Sequence, residues 1–233
     1  MNLFVCHPDE GGPFPVILFY HDAPGIRHLL FDMARRLATS GYYVVLPNLY
    51  YRTARDVVID GNQAEIPGTF DHERMFELIL SLTNAMVAED TRGMIAFLDA
   101  QSQVKPGPLG CVGHCMSGSF VTTIAAQFPR MKAAASLYGV DIVTDKDDSP
   151  HLLLDKVEGE LYFGFAEIDP SVPANVIPDL QAAIAKTGTK ATIETYEGSH
   201  HGFCFAARPD YDPIAAERSW TVLFDLWDRN LKG

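Results

Sequence analysis

The stretch Gly110-Cys111-Val112-Gly113-His114-Cys115-Met116-Ser117-Gly118-Ser119 constrains this chain more than any other. Before it, Val104 to Gly113 reads as a short apolar strand entered through Pro106-Gly107-Pro108. After it, Phe120 to Phe128 reads as a helix with small and apolar residues on every side, stopped by Pro129. A strand meeting a helix at Gly-x-Cys-x-small-Gly is the pattern of a nucleophile elbow, with Cys where Ser is commoner. The demand is steric. The nucleophile occupies a strained turn that pushes its side chain out over the sheet, so flanking positions must be nearly free of side chain. Gly113 and Gly118 meet that demand, and Ser117 is the smallest substitute for a third glycine. The same turn aims the helix N-terminus at the Cys115 sulfur, which favours thiolate over thiol. The bland alternative is a buried structural Cys in a glycine-containing loop.

Apolar runs alternate with amphipathic ones along the rest of the chain. Phe14 to Tyr20 is continuous enough for a strand buried on both faces, and it ends in the turn-rich His21-Asp22-Ala23-Pro24-Gly25. Ile26 to Ser40 carries Leu29, Leu30, Met33 and Leu37 on one stripe, with Gly41 as its cap. Tyr42 to Leu46 is a second strand, ended by Pro47-Asn48-Leu49-Tyr50-Tyr51-Arg52. Residues 53 to 70 read as irregular. Asp71 to Gln101 is helical but too long and mixed for one helix, so a break is expected at Thr83-Asn84 or at Glu89-Asp90. Further strands are expected at Lys132–Leu137, Glu160–Phe165 and Lys190–Tyr196. Helices are expected over Val176–Thr187, closed by Gly188, and after Asp212-Pro213, where Trp220, Leu223, Phe224 and Trp227 form a core stripe.

These elements predict an α/β domain: a mainly parallel sheet with helices on both faces. With 233 residues, 47% of them hydrophobic, one domain over 1–233 has ample core. Residues 51–101 would form a partly helical insertion near the site. Parallel sheets carry their sites beyond the carboxyl ends of the strands. Cys115, Asp169, His201 and the His21–Gly25 turn all fall at such ends.

The formal net charge of −12 gives no basic stripe for nucleic acid and disfavours an anionic membrane surface. No apolar run approaches the roughly 18 residues that span a bilayer. Met1 to Val5 lacks the basic and apolar regions of a signal peptide. Four cysteines are too few for a disulfide framework, so a reducing cytoplasm is the expected compartment. A monomer without cofactor is expected.

A nucleophile, then an acid, then a His is the alpha/beta-hydrolase chain order. His201 would serve as general base, with Asp169 holding its tautomer. Backbone N–H groups of Met116 and about Ala23 would form the oxyanion hole. His200 is the alternative base and Glu167 the alternative acid. His114 and Cys111 read as packing residues, and His21 either faces the pocket or is a satisfied structural histidine. Tyr50, Tyr138 and Phe203 could line a pocket or simply pack. Cys111, His114, Cys115, His200, His201 and Cys204 can be drawn as a zinc site, but strand alternation makes the first three diverge. No metal is therefore expected. A catalytically silent binding module on the same fold is the remaining alternative.

At these residues the chain resembles the dienelactone hydrolase family of the alpha/beta-hydrolase superfamily. The resemblance spans nearly the whole chain. It rests on His21-Asp22-Ala23-Pro24-Gly25-Ile26-Arg27, Pro47-Asn48-Leu49-Tyr50, Gly113-His114-Cys115-Met116-Ser117-Gly118, Phe163-Gly164-Phe165-Ala166-Glu167-Ile168-Asp169 and His201-Gly202-Phe203. It implies a carboxymethylenebutenolidase-like hydrolase of small esters or lactones, with Cys115 as nucleophile, Asp169 as acid and His201 as base. It also implies that Asp22 stands where the family archetype has a Glu that interacts with the resting Cys. Two substrate-gripping Arg positions of the archetype correspond to Phe205 and Arg74, with Arg208 three residues beyond the first. Any extra N-terminal strands of the family would be short or missing here.

Overall fold

The computed structural model describes residues 1–54 and 59–233. Residues 55 to 58, within the stretch read as irregular and within the 51–101 insertion, lie outside the described residues. Two compact units divide the chain, Met1–Pro106 and Gly107–Gly233.

In the first unit, β1 (Leu3–Cys6) pairs antiparallel with β3 (Tyr43–Pro47), and β3 runs parallel to β2 (Phe14–Tyr20). The register sets Phe4 opposite Leu46 and Ile17 opposite Val44. Val16 to Tyr20 are wholly buried, which is what an unbroken apolar strand requires. Helix α1 (His28–Thr39) buries Leu30, Met33, Ala34 and Leu37, and Gly41 follows it with φ 94°. The long helical stretch is two helices, α2 (Phe70–Leu80) and α3 (Asn84–Asp99). Thr83 caps α3 by accepting the Met86 N–H, so the expected break at Thr83-Asn84 is present. The alternative break at Glu89-Asp90 is not. Asp90 lies inside α3, buried, and accepts both guanidinium N–H groups of Arg52 at 2.7 Å and the Tyr51 hydroxyl at 2.9 Å. A residue that reads as a helix breaker is here a paired buried carboxylate.

The second unit takes up β4 (Val104–His114), whose first residues belong to the first unit, followed by β5 (Met131–Leu137), β6 (Glu160–Ile168) and β7 (Ala191–His200). Each pairs parallel with the next. Helices α4 (Gly118–Gln127), α5 (Val176–Thr187) and α6 (Pro213–Leu231) complete it. Small residues let α4 approach closely: a Cβ on Gly118 would sit 2.3 Å from the Gly139 Cα. Asp212 caps α6 by accepting the Ile214 and Ala215 N–H groups, a contribution of about 1 kcal/mol. Trp220, Leu223 and Trp227 are buried along that helix. The four-residue β1 and a 3-10 segment at Pro150–Lys156 were not expected from the sequence. Among the described residues no helix is long and apolar enough to cross a membrane.

Candidate active site

Cys115 is the first residue of a short 3-10 turn between β4 and α4, and its φ is 53°. A residue with a side chain seldom enters this left-handed region, at a cost of about 1–2 kcal/mol. The surroundings hold it there. A Cβ on Gly113 would lie 2.3 Å from the Ser117 carbonyl oxygen. The Ser117 hydroxyl accepts the His114 N–H at 2.9 Å and donates to the His114 carbonyl at 3.1 Å, closing the turn on itself. Beyond it, the Val140 N–H reaches the Cys115 carbonyl at 3.2 Å. Cys115 is partly exposed, whereas Cys111 and Cys204 are buried.

His201 follows β7 directly. Its Nδ1 is 2.7 Å from Asp169 Oδ2, with the carboxylate almost wholly buried and the imidazole slightly open to solvent. The β6–β7 register explains the meeting. An irregularity between Ala166 and Ile168 sets Ile168 opposite His200, so the next residue on each strand forms the pair. Asp169 Oδ1 accepts the Ser171 N–H at 2.9 Å, which fixes the carboxylate. Glu167, the alternative acid, instead accepts the Gly198 N–H at 2.7 Å and is exposed. His200 is exposed too.

With Nδ1 on Asp169, Nε2 of His201 is left for the Cys115 sulfur, which hydrogen-bonds the ring. Burial opposes charge on this imidazole. The thiolate charge of Cys115, the Asp169 carboxylate and the hydrogen bonds to both outweigh it and push the pKa up to about 10. An imidazolium with a sulfur on one side and a carboxylate on the other can deliver a proton to a departing group. The remaining thiols are ordinary. Burial pushes Cys204 up to about 12 and Cys6 up to about 11, and it raises Cys111 further.

Other candidates take definite places. Tyr138 is fully buried with φ 38°, and its ring meets His201, Phe203, Phe205 and His114. Phe203 is fully buried against Tyr138 and Tyr196. Phe205, where the archetype would carry Arg, is buried against His114 and Tyr138. Gly202, next to His201, has φ 86°, and a Cβ there would lie 2.8 Å from the Arg208 guanidinium carbon. Arg74 pairs with Glu77 on the outer turn of α2. Among the described residues no three His, Cys, Asp or Glu side chains are grouped as metal ligands would be.

In the first unit, the His21–Gly25 turn is tightly bound. Asp22 is fully buried, and its two oxygens take Arg27 Nη1 at 2.5 Å and Nη2 at 2.8 Å. His21 is fully buried, Nδ1 lying 2.7 Å from the Asp22 carbonyl oxygen and Nε2 accepting the Leu49 N–H. Burial pushes its pKa down to about 4, so the ring is neutral. The Tyr50 hydroxyl donates to the Ala23 carbonyl at 2.7 Å. The role of Arg27 was missed in the sequence, although a cation five residues after an acid in a turn-rich segment was the available signal.

A family model described as the dienelactone hydrolase family matches residues 1–231. A Synechocystis protein named "Putative carboxymethylenebutenolidase" is 27% identical over 98% of this chain and 92% of its own length. A protein of the same name from Methylorubrum extorquens is 28% identical over 95% of this chain and 74% of its own. Among solved structures, a "Putative Dienelactone Hydrolase" from Klebsiella pneumoniae superposes with a TM-score of 0.84 at 22% identity, over 97% of this chain and 92% of that one. The "Dienelactone Hydrolase-like Promiscuous Phospotriesterase P91" from metagenomic libraries gives 0.74 at 18%, over 95% and 89%. At those identities the likeness is one of fold, the alpha/beta-hydrolase fold expected from the order of elements.

Proposed function

The chain belongs to the dienelactone hydrolase family, and from that premise we propose that it hydrolyses small carboxylic esters or lactones through Cys115, His201 and Asp169. The observation that carries the reading is the left-handed Cys115 bonded to a His201 that Asp169 holds at 2.7 Å. The Cys115 thiolate attacks the carbonyl carbon, and the electron pair moves to oxygen. Backbone N–H groups of Met116 and Ala23 stabilise that oxyanion. As the intermediate collapses, His201 gives its proton to the leaving alkoxide, and the acyl group remains on sulfur. Neutral His201 then takes a proton from water, whose oxygen attacks the thioester. Collapse expels the thiolate beside a renewed imidazolium and releases the carboxylic acid.

Esters and lactones are favoured over amides because the thiolate is a better leaving group than an unprotonated amine. The tetrahedral species from an amide falls back by expelling sulfur. On this reading the two units act as one domain, with residues 51–101 as its partly helical insertion. Asp22, His21, Tyr50, Arg74, Tyr138 and Phe203 would support the site rather than react in it. Arg208, against Gly202, is the nearest guanidinium in the chain to the position that Phe205 leaves apolar.

The test is turnover of aryl acetates and simple lactones by Cys115→Ala, together with the mass of the protein during turnover. Loss of activity and an acyl adduct on Cys115 of the parent protein are expected. Undiminished hydrolysis by Cys115→Ala would sink the assignment.

A further inference from the structure

We propose that His21 is a positioning residue for the acyl chemistry: by holding the Asp22 carbonyl it sets the direction of the Ala23 N–H. This rests on the reading above that the Ala23 N–H is one of the two oxyanion donors. The Asp22 carbonyl and the Ala23 N–H are the two ends of one planar peptide unit, whose rotation is opposed by a barrier of about 18–20 kcal/mol. Fixing the oxygen therefore fixes the hydrogen that points the opposite way.

The donor on His21 is identified by its other neighbour. The Leu49 main chain can only donate, so Nε2, 3.1 Å away, must present a lone pair. The ring proton is thus on Nδ1, which donates to the Asp22 oxygen at 2.7 Å. The Gly25 N–H reaches that same oxygen at 3.0 Å. A protonated ring would lose the bond from Leu49, and the low pKa keeps the ring neutral.

The following peptide is held in the same way. Its carbonyl, on Ala23, accepts the Tyr50 hydroxyl at 2.7 Å. Its nitrogen belongs to Pro24 and has no hydrogen to hold. The rings of His21 and Tyr50 touch, with centroids 4.9 Å apart. Both reach the turn from the segment after β3, where Asn48 accepts the Tyr50 N–H and so sets the segment's own direction. Two successive carbonyls are therefore gripped by side chains, and the turn's geometry does not depend on bound substrate.

The experiment separates positioning from general loosening. In His21→Gln, the amide oxygen replaces Nε2 as acceptor for Leu49, but nothing replaces the Nδ1 donor. In His21→Asn, the amide nitrogen replaces that donor. His21→Gln is expected to lose about 10- to 100-fold in kcat for an aryl acetate, less than removal of an oxyanion donor costs, with KM nearly unchanged. Affinity for an aryl trifluoromethyl ketone, which forms an oxyanion on Cys115, should fall by the same factor. Alkylation of Cys115 by iodoacetamide makes no oxyanion and should keep its rate. His21→Asn should recover most of kcat.

Full kcat in His21→Gln, or alkylation falling in step with kcat in both variants, would overturn the proposal. Should His21→Gln fail to fold, Tyr50→Phe carries the test: a smaller loss of the same kind is expected, and unchanged kcat overturns the clamp. Hydrolysis surviving in Cys115→Ala is a different failure. It would remove the thiol mechanism itself, and this proposal with it, whatever His21 does.

Discussion

Two turns at strand ends do opposite things to reach the same rigidity. The turn after β4 is held by crowding: glycines at 113 and 118 leave no room for another backbone path, and Ser117 ties the turn to itself. The turn after β2 is held by side chains that reach it, His21, Tyr50 and Arg27 each taking a carbonyl or carboxylate oxygen. Crowding is local and fixes a nucleophile whose own side chain must remain free. Hydrogen bonding over a distance suits a turn whose working group is a main-chain N–H, because there the side chains are available to do the holding.

The two turns also differ in charge, which offers the largest test. The β2 turn is internally neutral, with Asp22 paired to Arg27 and His21 uncharged. The β4 turn depends on an imidazolium raised to about 10 by its sulfur and carboxylate partners. A group raised in this way keeps its proton below that value and loses it above. We expect kcat to hold through neutral pH and fall as pH rises through about 10. Asp169→Asn removes one of the two charges that raise the imidazole and permits the wrong tautomer. In a serine hydrolase that change costs about ten-thousandfold in kcat, and a loss of that order is expected here, with the alkaline limb moved to lower pH. A pH–rate profile of the variant that overlays the parent would remove Asp169 from the mechanism.

Next in size is the pair at the β2 turn. Removing one partner of a buried ion pair leaves an uncompensated charge, at a cost of about 3–5 kcal/mol. Arg27→Met does this to Asp22, which is fully buried. Urea unfolding should show the loss, and adding Asp22→Asn should recover much of it. Equal stability of the single and double variants would mean that the carboxylate is not what Arg27 stabilises.

The same contrast explains what could be read from the sequence. The elbow was legible because its constraints lie within a few residues: small side chains at 113, 117 and 118 beside a Cys. The limits of β2 and α5 were legible because a continuous apolar run and a terminal glycine mark them locally. His21 with Leu49, and Tyr50 with Ala23, are pairings 28 and 27 residues apart, and no local pattern announces them. Asp90 shows the same blindness: its acidity suggested a break in a helix, because Arg52 and Tyr51, 38 and 39 residues earlier, could not be seen as its partners. Pairing Asp169 with His201 followed from their order in the chain, but the irregularity in β6 that brings them together did not.

The smallest prediction compares one added methyl group in each turn. Gly118 has an ordinary helical φ of −61°, so alanine there is conformationally acceptable and only space is at issue. The new Cβ would meet the Gly139 Cα at 2.3 Å and the Ser136 hydroxyl oxygen at 2.5 Å, and the first is main chain that cannot swing away. Overpacking of this kind costs about 1–3 kcal/mol, and here the upper end is expected. Gly25 is the reverse case. Its φ of 82° is unfavourable for alanine, while the nearest atoms, in the Tyr50 ring, are at an ordinary 3.4 Å. Left-handed strain alone costs about 1–2 kcal/mol. Urea unfolding of the two alanine variants should therefore rank Gly118→Ala as clearly the worse. The opposite ranking would mean that the β2 turn tolerates less than its hydrogen bonds suggest, and that crowding is not what distinguishes the β4 turn.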